Sequence, residues 1–298
     1  MTGVQTCALP ICDGWTVTTG YLDRFVDEQR VRANGEHGHH GGELAPYQRL
    51  TSQIGRRLAE LHLALAAHPE LPDFAPEPTR PSEVERWIAA ATTRVDRAFD
   101  TLKQRRNGLR DADRDLIDQL LSSRQTLQDR LAALPADIGG LNIRHHGDFH
   151  LGETLIVKDD IFIIDVEGAP GEPFVERRRK GPAARDVASL IHSIDYSVTA
   201  ALDRARQAGV DGSSTLAAAL SGWRTGARAA FRAGYDEVMT DRRLWPADPR
   251  AGHELLSFFL LEKAVIEIEY ELARRPEGLR VPLTALLRVL SEPANETS

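Results

Sequence analysis

The strongly strand-like sequence of this chain is confined to Asn142–Ile164. Asn142 to His146 reads as a short strand. Thr154-Leu155-Ile156-Val157 and Ile161-Phe162-Ile163-Ile164 are β-prone runs around a polar Lys158-Asp159-Asp160 turn, so together they read as a hairpin. Elsewhere apolar residues recur at three-to-four spacing, the mark of amphipathic helices. The spacing predicts helices over 13–32, 45–67, 82–105 and 110–133, another from about 184, and then 213–239, 249–274 and 281–291. In 45–67 the apolar stripe is Leu50, Ile54, Leu58, Leu61 and Leu65. In the helix from 184 it is Val187, Leu190, Ile191, Ile194 and Val198. Pro69, Pro72, Pro76 and Pro78 impose an extended connector between helices. Pro135 to Leu141 is a turn-rich link, and 169–182 reads as a charged loop. The polar break Gly35 to Gly42 carries His37, His39 and His40. With no Cys or carboxylate at ligand spacing, these three read as a solvated loop. The expected fold class is α+β, mostly helical, with one small hairpin.

At 298 residues the chain suffices for one large domain or two small ones. No apolar run approaches the roughly 18 residues of a membrane span, and no secretory signal is visible. A formal charge of −7 argues against a nucleic-acid partner, which calls for a basic face. Cys7 and Cys12 are the only cysteines and make no disulfide framework, so a reducing cytoplasm is the expected location. Met1 to Ile11 resembles the translation of a sequencing-library adapter. Residues 1–11 are therefore expected to be foreign, with one domain over 12–298.

The chemistry concentrates in His146-Gly147-Asp148-Phe149-His150-Leu151-Gly152-Glu153 and Ile163-Ile164-Asp165-Val166-Glu167-Gly168. Asp148 follows a glycine at the end of a predicted strand, where a carboxylate can take the proton of a hydroxyl attacking a phosphate. Asp165 ends the second hairpin strand and suits Mg²⁺, which prefers oxygen ligands and bridges nucleotide phosphates. Glu153 can reach the same ion, and Glu167 is a further ligand candidate. His146 and His150 flank the turn and are expected to hydrogen-bond the backbone and Asp165. Two other readings stand beside phosphoryl transfer. One is a zinc site from His145, His146, Asp148 and His150, and the other is a purely structural acidic turn.

HGDxHxG, a hairpin and IDxEG together resemble the catalytic lobe of the aminoglycoside-phosphotransferase group of protein-kinase-like enzymes. Within that group they look nearest to the maltokinase family, which also occurs fused behind trehalose synthase. Further matching stretches are Glu176-Arg177-Arg178-Arg179-Lys180 with Pro182 and Arg185-Asp186-Val187-Ala188, the Leu58–Leu65 helix, and Leu261-Glu262-Lys263-Ala264 with Tyr270-Glu271. The resemblance implies a kinase-like catalytic lobe without its nucleotide-gripping N-lobe, using ATP and Mg²⁺ to phosphorylate maltose at its reducing end. In that reading Asp148 is the base, and Asp165 and Glu153 hold the metal. Arg185 and Asp186 then support the loop. The family usually has an amide where this chain has Glu153.

A disaccharide needs hydroxyl-binding groups and an aromatic face. The candidates are Glu262, Lys263, Glu267, Tyr270 and Glu271 on one helix, with His192 and Tyr196 on another. Rival expectations are a kinase of an aminoglycoside, choline or another sugar, a non-catalytic lobe, and a trehalose synthase fusion or complex.

Overall fold

The computed structural model describes residues 11–33, 44–158, 160–169, 173–209 and 214–291. Strand β1 (Ile11–Asp13) leads into helix α1 (Gly14–Ala33), followed by α2 (Leu44–Ala66), β2 (Glu77–Pro78) and α3 (Pro81–Arg105). Then come α4 (Arg114–Ser122), α5 (Arg124–Ala132), β3 (Leu141–Ile143), β4 (Thr154–Val157), β5 (Asp160–Ile163), α6 (Phe174–Arg177) and β6 (Gly181–Pro182). The chain continues through α7 (Ala184–Gln207), α8 (Ser214–Val238), α9 (Pro249–Arg274) and α10 (Arg280–Ser291). Residues 1–10 of the expected adapter-like stretch 1–11, and the Gly35–Gly42 break with its histidines, lie outside the described residues.

Helix α9 lies at the centre of the core and packs against α3, α5, α7 and α10. Its apolar residues run almost all the way round, with Leu255, Leu256, Phe258, Phe259, Leu260, Leu261, Val265 and Ile268 all buried. That pattern is expected of a helix with neighbours on every side. Among the described residues no helix is long and apolar enough to cross a membrane.

The chain is mostly helical, as its periodicity indicates, but the expected lone hairpin is corrected. β4 and β5 form the hairpin in the register Thr154↔Ile163 to Val157↔Asp160, and β1 adds a third strand through Cys12↔Ile156. A second three-stranded sheet, in the order β2-β3-β6, ties the proline connector to the loop before α7. Its outer strands are two residues each, too short for alternation to mark them. The helix expected over 110–133 breaks into α4 and α5 at Ser123. The hydroxyls of Ser122 and Ser123 both turn back to the Gln119 carbonyl, at 2.7 and 2.9 Å, and compete with helical bonding there. The strand expected over 142–146 ends at Ile143, freeing His145 and His146 for a loop. The charged loop of 169–182 contains α6 and β6.

Helices α2 and α8 cross at two glycines. A Cβ on Gly55 would stand 2.2 Å from the Phe231 carbonyl oxygen, and one on Gly234 would stand 2.1 Å from that of Ser52. Alanine is worth about 1 kcal/mol over glycine within a helix, whereas overpacking costs about 1–3 kcal/mol. At these separations the backbones must part, so overpacking wins. Gly234→Ala is expected to lower the urea midpoint. Gly222→Ala, on the same helix with open space around it, is expected to raise it. Equal shifts in the two variants would contradict this account of the crossing.

Candidate active site

The loop after β3 is held by a buried carboxylate. Asp186, in the first turn of α7, accepts the backbone N–H of His146 at Oδ2 (2.7 Å) and of Gly147 at Oδ1 (2.9 Å). His62 Nε2 on α2 lies 3.0 Å from Oδ2. Burial alone would raise this carboxyl. The His62 hydrogen bond and the neighbouring His145 outweigh it and hold the group below the usual carboxylate range, as the helix N-terminus also favours.

Gly147 (φ +86°) and Gly168 (φ +83°) meet back to back. A Cβ on the first would lie 3.2 Å from the Cα of the second. This contact joins the Asp148 loop to the Asp165–Gly168 turn. Asp165 itself adopts φ +55°, a left-handed conformation that costs a non-glycine residue energy.

His146 is buried, and its Nε2 lies 2.8 Å from the Ile164 carbonyl, which can only accept; Nε2 therefore carries the hydrogen. Its Nδ1 then accepts the Asp148 N–H at 3.4 Å. His150 Nδ1 accepts the Gly152 N–H at 3.0 Å, leaving Nε2–H toward Glu153 Oε1 at 3.3 Å. Both rings are thus engaged with backbone or carboxylate, which leaves the zinc alternative short of free imidazole nitrogens. Burial lowers the His150 pKa. Of the expected histidine contacts, those to backbone are present, and His150 faces Glu153 rather than Asp165.

Glu153 is pushed up to about 7, first by burial and then by the neighbouring charges of Asp165 and Asp148. Asp165 and Glu167 are exposed. Among the described residues no group of three or more His, Cys, Asp or Glu closes into a metal cage. The donor set nevertheless fits magnesium in its usual role, where one or two carboxylates share the ion with substrate phosphates and water. Glu153 and Asp165 supply such oxygens.

From α9, Lys263 Nζ reaches Asp148 Oδ1 at 3.3 Å and Glu267 Oε1 at 3.0 Å. Burial would lower this ammonium, but Glu267 and Asp148 outweigh it and raise its pKa, so it stays charged. Glu267 is held low against burial by Lys263 and His192. The Asp148 side chain keeps 24% of its surface open to solvent.

The other candidates divide. Arg185 donates to Glu262 Oε2 at 2.8 Å and lies 4.4 Å from the centre of the Phe259 ring. Glu262 is therefore taken up by an internal pair, and Arg185 braces α9 rather than the loop. Tyr196 donates to Glu271 Oε1 at 3.2 Å, and its ring lies 6.0 Å from Trp15 and 6.1 Å from His192. Tyr270 lies on the exposed side of α9 beneath Arg274 and Arg275. Sequence reasoning did not single out His62 as a site residue. The signal for His62 is a polar residue on the apolar stripe of α2, four positions after Leu58.

His192 is buried, and burial pushes it down to about 4; its Nε2 has no partner among the described residues. His145 is lowered to about 4 for the same reason. A histidine with a depressed folded pKa contributes stability above its unfolded value near 6.5 and loses it as pH falls toward 4. Between pH 6.5 and 4 each such ring is expected to remove about 3 kcal/mol. Urea midpoints across that range should fall, and His192→Gln should flatten the slope by about one proton. A pH-independent midpoint would sink this assignment.

No family model matches the chain. Glucosamine kinase of Streptacidiphilus jiangxiensis is 27% identical over 282 residues, covering 94% of this chain and 55% of that protein. Glucosamine kinase of Mycolicibacterium smegmatis is 28% identical over 243 residues, covering 80% and 53%. The chain therefore spans about half the length of the curated relatives it matches. A solved glucosamine kinase, crystal form B, superposes with a TM-score of 0.74 at 22% identity over 95% of this chain and 60% of that one. A glucosamine kinase in complex with glucosamine, ADP and inorganic phosphate gives 0.72 at 22% identity over 94% and 58%. These matches correct the maltokinase resemblance, and with it the expected maltose acceptor and trehalose synthase partner, because the relatives are glucosamine kinases. They also replace the expected protein-kinase-like lobe: 95% of this chain superposes on 60% of a glucosamine kinase.

Proposed function

We propose that this chain carries the phosphoryl-transfer site of an ATP-dependent kinase whose acceptor is glucosamine. The observation that carries the reading is Asp148, 3.3 Å from Lys263 Nζ on a loop pinned by Asp186 and facing the carboxyl groups of Glu153 and Asp165. Asp148 takes the proton of the acceptor hydroxyl as its oxygen forms the bond to the γ-phosphorus and the bond to the ADP oxygen breaks. Lys263 aims the Asp148 carboxyl through its 3.3 Å contact. Glu153 and Asp165 would hold a magnesium ion brought with the nucleotide, which supplies charge neutralisation on the phosphates.

An amino sugar is cationic at neutral pH. Glu267 and Glu271, which pair with Lys263 and Arg275, add acidic groups beside the Tyr196 and Trp15 rings, a setting that suits an ammonium and the apolar face of a sugar. The relatives' names support this acceptor over a neutral disaccharide. The test is ADP release with glucosamine, maltose, glucose and an aminoglycoside as acceptors. Glucosamine is expected to give the highest kcat/KM. A better rate with maltose would overturn the acceptor, and no acceptor-dependent ADP release would overturn the kinase reading.

A further inference from the structure

Asp186 reaches the loop through two backbone amides, and a carboxylate held only by those could swing about its own side-chain axis. The third donor comes from far away in sequence. His62, fully buried on α2, lies 3.0 Å from Asp186 Oδ2. Because the Asp186 carboxylate is held in its charged form, it only accepts, so His62 Nε2 must carry the hydrogen. The other ring nitrogen, Nδ1, lies 2.9 Å from the hydroxyl of Tyr235, which is buried on α8. Tyr235 therefore sets the ring's rotation, the ring sets the carboxylate, and the carboxylate sets the amides of His146 and Gly147, next to Asp148. The first two members stand on helices whose backbones touch at Gly55 and Gly234, so the chain starts from a rigid crossing.

We infer that His62 is a positioning residue for phosphoryl transfer: through Asp186 it fixes the backbone from which Asp148 projects. The inference rests on the kinase reading for its effect on turnover and on geometry alone for its effect on the loop.

The test compares His62→Leu, which fills the space without a donor, with His62→Gln, whose amide can donate at similar reach. Two readouts are used: steady-state kinetics with ATP and glucosamine, and hydrogen exchange at the His146 and Gly147 amides. His62→Leu is expected to lower kcat about 10–100-fold, the range for removing a group that orients a catalytic one, with both KM values nearly unchanged. Exchange at the two amides should accelerate, and His62→Gln should restore most of both. Full kcat in the leucine variant overturns the inference. So does a loss carried by KM, or a loss that glutamine does not rescue. If His62→Leu fails to fold, Tyr235→Phe takes its place, with an expected loss of about fivefold, the value of one neutral hydrogen bond. Should the wild-type chain show no kinase activity, the kinase reading fails on its own. The exchange rates then still decide: faster exchange confined to the two amides supports positioning, and unchanged exchange refutes it.

Discussion

Asp148→Asn is expected to lower kcat for ATP-dependent phosphorylation of glucosamine by about 10²–10⁴-fold, the usual worth of a positioned general base. The substitution preserves shape and removes only the basic oxygen. Lys263 keeps Glu267 as a partner at 3.0 Å, so the buried ammonium is not stranded and the fold should survive. KM for ATP should change little, because Asp148 is not among the groups assigned to the nucleotide's metal. Steady-state ADP release together with a thermal melt checks both halves. A variant retaining more than about a tenth of the wild-type kcat would remove Asp148 from the base role.

The largest effect on stability is expected at Asp186. Asp186→Ala leaves the amides of His146 and Gly147 and the ring of His62 without their acceptor, all in a buried setting. Breaking a buried charged contact from one side typically costs about 3–5 kcal/mol, because the desolvated partners cannot return to water. Asp186→Asn should be intermediate: one oxygen still accepts, while the amide hydrogens face a donor. Urea unfolding measures the order, with wild type above asparagine and asparagine above alanine. An alanine variant within about 1 kcal/mol of wild type would show that the loop is held by other means.

Much of the helical fold was legible in the sequence, because each long helix buries one apolar stripe against the core. α9 could be placed although its apolar residues run almost all the way round, since Pro249 and Arg274 bound it. What escaped was set by side-chain chemistry or brevity: the break at Ser123, made by hydroxyls competing for one carbonyl, and the two-residue strands β2 and β6. At the site, residues 146–168 could be grouped because a hairpin brings them back on themselves. The partners supplied by distant helices could not. Lys263 meets Asp148 across 115 residues, and His62 meets Asp186 across 124. The acceptor was misread for the same reason. Loop and hairpin motifs speak to phosphate chemistry, while the residues proposed to meet the sugar stand on α7 and α9, where helical spacing does not say which faces meet.

Ile164 links the two halves of the site through its main chain alone. Its N–H goes to the Glu153 carbonyl at 3.0 Å, and its C=O receives the His146 ring at 2.8 Å. One peptide position therefore acts as a gauge block between the loop that carries Asp148 and the turn that carries Glu153. Such a spacer is indifferent to what hangs from it and intolerant of any change in its count. A single codon gained or lost between Glu153 and Asp165 would pull the two carboxyl groups out of step.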